Sequence, residues 1–252
     1  MDNAMSTAMD IRKKFFSQIK KAYINDDFAL ISNFIIEQRA SMWLVGGQIR
    51  DYYLRISEPA TDIDLATDCD VRKLFIFLKT NFPLEHIKFF KTYHTVSLTI
   101  HDVKIDIAQL RAEEYSRNSL SPKITFVYNI IDDLQRRDFT MNSIAINLLD
   151  QSINDIFDPF NGIKAINEKS LRAIHKQSYI NDPTRIFRAA KYMSRLNLLT
   201  SFNEEMMLKE AVHNISALSK YSIDKEIQLI QEDKNPSAAI QLLNSWGYYL
   251  KR

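Results

Sequence analysis

Apolar residues recur at helical spacing from residue 11 to 38 with no internal Gly or Pro, which predicts a helix. The run 41–45 is short and apolar and ends at Gly46-Gly47, which reads as a strand entering a tight turn. Residues 48–54 predict a short helix. Acidic and apolar positions alternate over 62–66, a strand pattern, and helical spacing returns over 71–80. Two β-rich runs, 95–100 and 103–108, are separated only by His101-Asp102, which predicts a hairpin. The apolar run 143–149 predicts a further strand. After about residue 150 the pattern is helical: 183–196, opened by Pro183 just after Asp182, then 203–213, 222–231 and 236–246. The fold expected is α+β in three parts: an N-terminal helical segment (1–40), a small mixed sheet with flanking helices (41–150) and an all-helical part (151–252).

Composition narrows the class without naming a chemistry. The chain has 252 residues, 46% hydrophobic and 25% charged, enough for one large or two small cores. The single cysteine, Cys69, builds no disulfide framework, so a reducing compartment is expected. Residues 1–21 lack the apolar stretch and cleavage site of a signal peptide, and no window approaches the ~18 apolar residues of a membrane span. A cytoplasmic protein with no membrane partner is the expectation. The net charge of +2 says little, but ten basic residues face six acidic ones between Gln135 and Thr200. A phosphate-bearing partner suits such a stretch, as does an ordinary solvated basic face.

Four places carry candidate chemistry. Asp62 and Asp64 are two apart on an expected strand, so both carboxylates emerge on one face. So placed, they can bind hard divalent cations through oxygen, and Mg²⁺ is the natural candidate because it combines carboxylates with substrate phosphates. Alone, an Asp-x-Asp pair also fits a turn or an exposed strand face. Asp106, alternating with apolar residues on another strand, can add a third carboxylate and complete a two-metal centre. The chain has only four glycines, and two stand together at Gly46-Gly47. A strand-to-helix turn of this kind lets backbone N–H groups cradle a triphosphate, with Arg50 following. Arg137 can hold phosphate bidentately, and Asp138 and Asn142 can hydrogen-bond a ribose. Asp182 and Arg185, three apart on an expected helix, are neighbours able to accept from and donate to a base edge.

The strings that carry these residues resemble a known family. Leu44-Val45-Gly46-Gly47-Gln48-Ile49-Arg50-Asp51, followed by Asp62-Ile63-Asp64-Leu65-Ala66-Thr67, is similar to the opening motif of bacterial-type (class II) tRNA nucleotidyltransferases and their poly(A) polymerase relatives. Arg136-Arg137-Asp138-Phe139-Thr140-Met141-Asn142-Ser143 resembles the second motif. Asp158-Pro159-Phe160-Asn161-Gly162 resembles the third, with Ala165-Ile166 where an Asp-Leu pair is usual. Asn181-Asp182-Pro183-Thr184-Arg185 resembles the fourth, with Asn181 in place of Glu, and Ser222 replaces the usual Arg of the fifth.

The resemblance implies a nucleotidyltransferase head followed by a helical neck. It implies Asp62 and Asp64 as metal ligands, Asp106 orienting the primer hydroxyl, and Gly46, Gly47 and Arg50 around the triphosphate. Arg137, Asp138 and Asn142 are implied at the sugar and phosphates, Asp182 and Arg185 as a protein template for the base, and Arg188 as their support. The implied function is addition of CCA, or only its terminal A, to the 3′ end of tRNA from CTP and ATP. A poly(A) polymerase, and a non-catalytic RNA- or nucleotide-binding module, stay open beside it. Residues 111–126 match the flexible loop of relatives that add the terminal A. The short C-terminal part implies either a minimal enzyme or a grip on RNA by the neck's basic face, by a second copy of the chain in a homodimer, or by a protein partner. His94 is expected to be structural or substrate-lining.

Overall fold

In the computed structural model the described residues are 7, 9–13, 27–56, 62–82, 87–100, 103–116, 119–150 and 156–250. Two compact units are formed. One takes the described residues of Met1–Ala112, Ile124–Arg136 and Asn142–Phe160. The other takes those of Glu113–Lys123, Arg137–Met141 and Asn161–Arg252.

The first unit is built on a mixed seven-stranded sheet in the order β3-β4-β5-β2-β1-β8-β9. The strands are β1 (Met42–Val45), β2 (Asp62–Thr67), β3 (Ile87–Phe90), β4 (Thr95–Ile100), β5 (Val103–Gln109), β8 (Ala145–Asn147) and β9 (Ile156–Phe157). Two further strands, β6 (Arg111–Glu114) and β7 (Lys123–Phe126), form a separate ribbon divided between the units. Only the β2/β5 pair of the large sheet is parallel. The period-two pattern of β2 sorts its residues by face: Ile63 and Leu65 are buried, Asp62 and Asp64 exposed.

The buried face is covered by helix α3 (Val71–Asn81), whose Val71, Leu74 and Leu78 point inward at helical spacing. Asp70 caps this helix by accepting from Arg72 N at 2.9 Å. Phe75 stacks on Phe89 of β3 at 5.1 Å, and Phe77 on Phe34 of α1 (Asp27–Glu37) at 4.4 Å. Helix α2 (Gly47–Tyr53) follows β1 directly, and α4 (Ile130–Gln135) packs Ile130 and Leu134 against Trp43, Val45, Ala66 and Leu110.

The second unit is helical: α5 (Gly162–Asn167), α6 (Ser178–Asn181), α7 (Thr184–Leu196), α8 (Phe202–Ala211), α9 (Lys220–Gln231) and α10 (Pro236–Trp246). Local signals set the ends. Asn197 stops α7 in the left-handed region at φ 51°, Ser201 caps α8, and α10 opens on Pro236 and closes at Gly247 with φ 103°. The core is Phe139, Tyr179, Ile186, Phe187, Leu208, Leu243 and Trp246.

Several expectations are modified. The helix expected over 11–38 is seen as helical residues 9–13 and as α1, and the span between them lies outside the described residues. His101-Asp102 also lies outside them, although the pairing of Ile100 with Val103 gives the antiparallel register that the hairpin implied. The loop over 111–126 is bounded by two paired strands. A cut at residue 150 would part β8 from its partner β9, and residues 137–141 belong with the helical unit because Phe139 packs on Tyr179 and Tyr192. Among the described residues no helix is long and apolar enough to cross a membrane.

Candidate active site

The parallel register of β2 and β5 sets Asp64 directly beside Asp106, and Asp62 beside Lys104. Partners in register point to the same face. Three carboxylates therefore share one face of the sheet, Asp64 and Asp106 about 5 Å apart across the strands and Asp62 about 7 Å along β2 from Asp64. Lys104 sits among them. Its Nζ lies 2.6 Å from Asp106 Oδ2. Burial lowers the lysine's proton affinity, but the hydrogen bond to Asp106 and the charges of Asp106, Asp62 and Asp64 outweigh it and raise the pKa. The other oxygen, Asp106 Oδ1, is buried with no hydrogen-bond partner. An orphaned carboxylate oxygen beside a captured cation is an environment that still seeks positive charge.

Among the described residues no three metal-type side chains close into a ready-made cage. The arrangement fits a cation that takes one or two carboxylates and completes its shell with substrate phosphates, as Mg²⁺ does.

The Gly-Gly turn stands at the end of β1, next to β2. Gly46 has φ 74° and ψ −127°, a conformation that side chains disfavour. At Gly47 an added Cβ would lie 3.4 Å from Arg50 Nη2. The Arg50 guanidinium is buried behind the turn, donating to Asp51 Oδ1 at 2.8 Å through Nε and to Asn142 Oδ1 at 2.8 Å through Nη1. Sequence reading did not anticipate this link, which ties the first motif to the last part of the second.

The helical unit gathers the remaining predicted residues. Asp138 is 7% exposed and accepts two hydrogen bonds from Arg188, at 2.8 Å from Nε and 2.5 Å from Nη2. The Asp138 charge outweighs burial and holds the Arg188 guanidinium well above its ordinary pKa. Arg137 is half-buried beside this pair. Arg185 is buried, with Nε 3.5 Å from Asp182 Oδ2 and Nη1 donating to Ser178 Oγ at 2.6 Å. Asp182 Oδ1 accepts from Thr184 N and Oγ1. Ser178 thus helps hold the Arg185 guanidinium in place. Tyr115 is also close: burial and the charges of Glu113 and Asp182 raise its pKa, against Arg185. Ser178 lies in no motif, and Tyr115 lies in the 111–126 loop without a signal of its own to mark it.

The motif departures have local explanations. Ala165 and Ile166 are buried inside α5, where a carboxylate would need a partner. Ser222 lies in the first turn of α9, its N–H held by the Ser219 cap. His94 has φ 43°, hydrogen-bonds Gln109 Oε1 at 3.0 Å and stacks on Phe126. Cys69 is buried, and burial together with Asp70 and Asp68 raises its thiol pKa to about 11, so it stays protonated and inert.

A mixed sheet with two carboxylates on one strand, a third in parallel register and a Gly-Gly turn alongside defines a nucleotidyltransferase-type head. The model for the poly A polymerase head domain matches residues 42–172, and the chain belongs to that family. An A-adding tRNA nucleotidyltransferase from Halalkalibacterium halodurans is 31% identical over 210 residues, covering 81% of this chain and 48% of the relative. A CCA-adding enzyme structure in an apo form aligns with a TM-score of 0.75 at 29% identity, over 86% of this chain and 51% of that one. A Thermotoga maritima CCA-adding enzyme complexed with tRNA aligns with a TM-score of 0.70 at 28% identity, over 87% and 50%. The chain spans about half the length of these proteins.

Proposed function

We propose that this protein is a template-independent nucleotidyltransferase of the cytoplasm that adds CCA, or its terminal A, to the 3′ end of tRNA from CTP and ATP. The observation that carries the reading is the shared open face of Asp62, Asp64 and Asp106, set by the β2/β5 register. The names of the relatives supply the RNA end as the acceptor.

In the proposed reaction the primer 3′ oxygen forms a bond to the α-phosphorus, the bond to the β-phosphate oxygen breaks, and pyrophosphate leaves. Asp62 and Asp64 would hold the divalent cations, Mg²⁺ by preference. These would lower the proton affinity of the attacking hydroxyl and neutralise the leaving pyrophosphate. Asp106 orients the 3′ hydroxyl. Gly46 and Gly47 give the triphosphate a close approach to backbone, and Arg50 supports that turn from behind through Asp51 and Asn142. In the helical unit Asp138 and Arg137 serve the sugar and phosphates, with Arg188 fixing Asp138. Asp182 and Arg185 read the amino group and ring acceptors common to C and A.

The test is primer extension with Mg²⁺ and each labelled triphosphate, singly and mixed. The acceptors are tRNA ending at the discriminator base, at C and at CC, and an unstructured RNA. Addition that stops at CCA, or that occurs only on the CC primer with ATP, supports the reading. Long A tails on unstructured RNA make it a poly(A) polymerase. No incorporation on any acceptor contradicts the catalytic assignment. Arg185→Ala is expected to relax the choice of base more than it slows the correct nucleotide; unchanged selectivity refutes the reading role.

A further inference from the structure

The carboxylate face of the sheet is closed on one side and open on the other. At the C-terminal end of β2 and beyond it, on β1 and β8, it is covered: Ala66, Trp43, Val45 and Ala145 are buried with Ile130, Leu134 and Leu110. Beyond β5 the small side chain of Ser97 on β4 is buried among its neighbours, and the face opens at Thr99 of β4 and at Lys88 and Phe90 of β3. The register runs Asp64–Asp106–Ser97–Lys88 in one line across four strands, with Phe90, Thr95 and Ala108 in the next. Side chains in register share a face, so Lys88 and Phe90 stand on the same face as the three carboxylates. Both are exposed, Phe90 by 50%, while their neighbours Ile87 and Phe89 turn to the opposite, helix-covered face. Lys88 lies two strands from Asp106, about 10 Å at the usual strand spacing. Thr99 of β4, in register with Lys104, is exposed on the same face.

The two substrates of an in-line transfer must reach the metal-binding carboxylates from opposite sides. The Gly46-Gly47 turn stands on the β1 side. The acceptor strand is left the β4–β3 side, where the face offers a cation about 10 Å from Asp106 and an exposed aromatic ring beside it. We propose that this open part of the sheet seats the single-stranded 3′-terminal nucleotides of the acceptor RNA, with Lys88 on a backbone phosphate and Phe90 under a base. The inference rests on the proposed function and adds to it the side from which RNA enters and the residues that hold it.

The experiment is fluorescence anisotropy of a short labelled RNA ending in CC, over a salt series, with the wild-type chain and three variants, alongside extension kinetics. Phe90→Ala is expected to weaken RNA binding about tenfold, and Phe90→Trp to retain it. Lys88→Gln is expected to weaken it several-fold at low salt and to lower the slope of log affinity against log salt by about 0.7. Ile76→Ser, an exposed residue of α3, is expected to change nothing. The KM for ATP is expected to stay at the wild-type value throughout. If the wild type extends primers while Phe90→Ala and Lys88→Gln bind RNA as it does, this inference falls and the proposed function stands. A raised KM for ATP with unchanged RNA affinity also overturns it, because the face would then serve the nucleotide. A wild type that neither binds nor extends RNA overturns both.

Discussion

Lys104 shows how the chain handles a concentration of negative charge. Three carboxylates on one sheet face repel one another, and a lysine in register with Asp62 and bonded to Asp106 offsets that repulsion. The same lysine opposes an incoming cation electrostatically. Lys104→Gln is therefore expected to tighten Mn²⁺ or Mg²⁺ binding several-fold by calorimetry, and to lower thermal stability slightly in metal-free buffer. Unchanged metal affinity would mean that the carboxylates bind no cation where Lys104 can feel it. The other residue-scale result is Ser178, whose hydroxyl accepts a hydrogen bond from Arg185 and holds its guanidinium.

At the scale of elements, the β1–turn–α2 unit depends on one backbone conformation. Gly46 at φ 74° and ψ −127° directs the chain from β1 into α2. Gly46→Ala is expected to cost about 2 kcal/mol of stability, read as a lower urea midpoint with an unchanged slope; a wild-type midpoint would show that the turn is not strained. This unit was legible in the sequence because its signals are local: an apolar run, two adjacent glycines and an alternating Asp-Ile-Asp. Strand β3 was not legible, because Ile87-Lys88-Phe89-Phe90 is too short to declare a period and gains its place only by pairing with β4. Helices α4, α5 and α6 were missed for the same reason, having at most six residues. Candidate residues within motifs were readable from spacing. Their partners were not: Asn142 to Arg50 and Asp138 to Arg188 are joined across 92 and 50 residues, a separation that no local pattern reports.

At the scale of the whole molecule, the chain divides its chemistry between two compact units, and the second motif is itself divided. Asn142 belongs with the sheet, while Arg137 and Asp138 belong with the helices. The helical unit also carries a pH dependence. Burial, and then the positive charge of Arg185, lower the His175 pKa below its ordinary 6.5. The unfolded chain therefore takes up a proton near pH 6.5 while the folded chain resists until a lower pH. Stability from this group is intact at pH 7 and lost as pH falls below 6.5. His175→Gln is expected to flatten the fall in melting temperature between pH 7 and 5; an equally steep fall in the variant would contradict the assignment.

The central claim is that the β2/β5 register builds a nucleotidyl-transfer centre from Asp62, Asp64 and Asp106. It is tested most directly by incorporation of labelled AMP into tRNA ending in CC, with Mg²⁺, comparing the wild type with Asp64→Ala and Asp106→Ala at matched circular dichroism. The account predicts incorporation by the wild type, abolished by chelation, and a loss of about a thousandfold or more in either variant. Either variant working at a rate near wild type, with its fold intact, would contradict it.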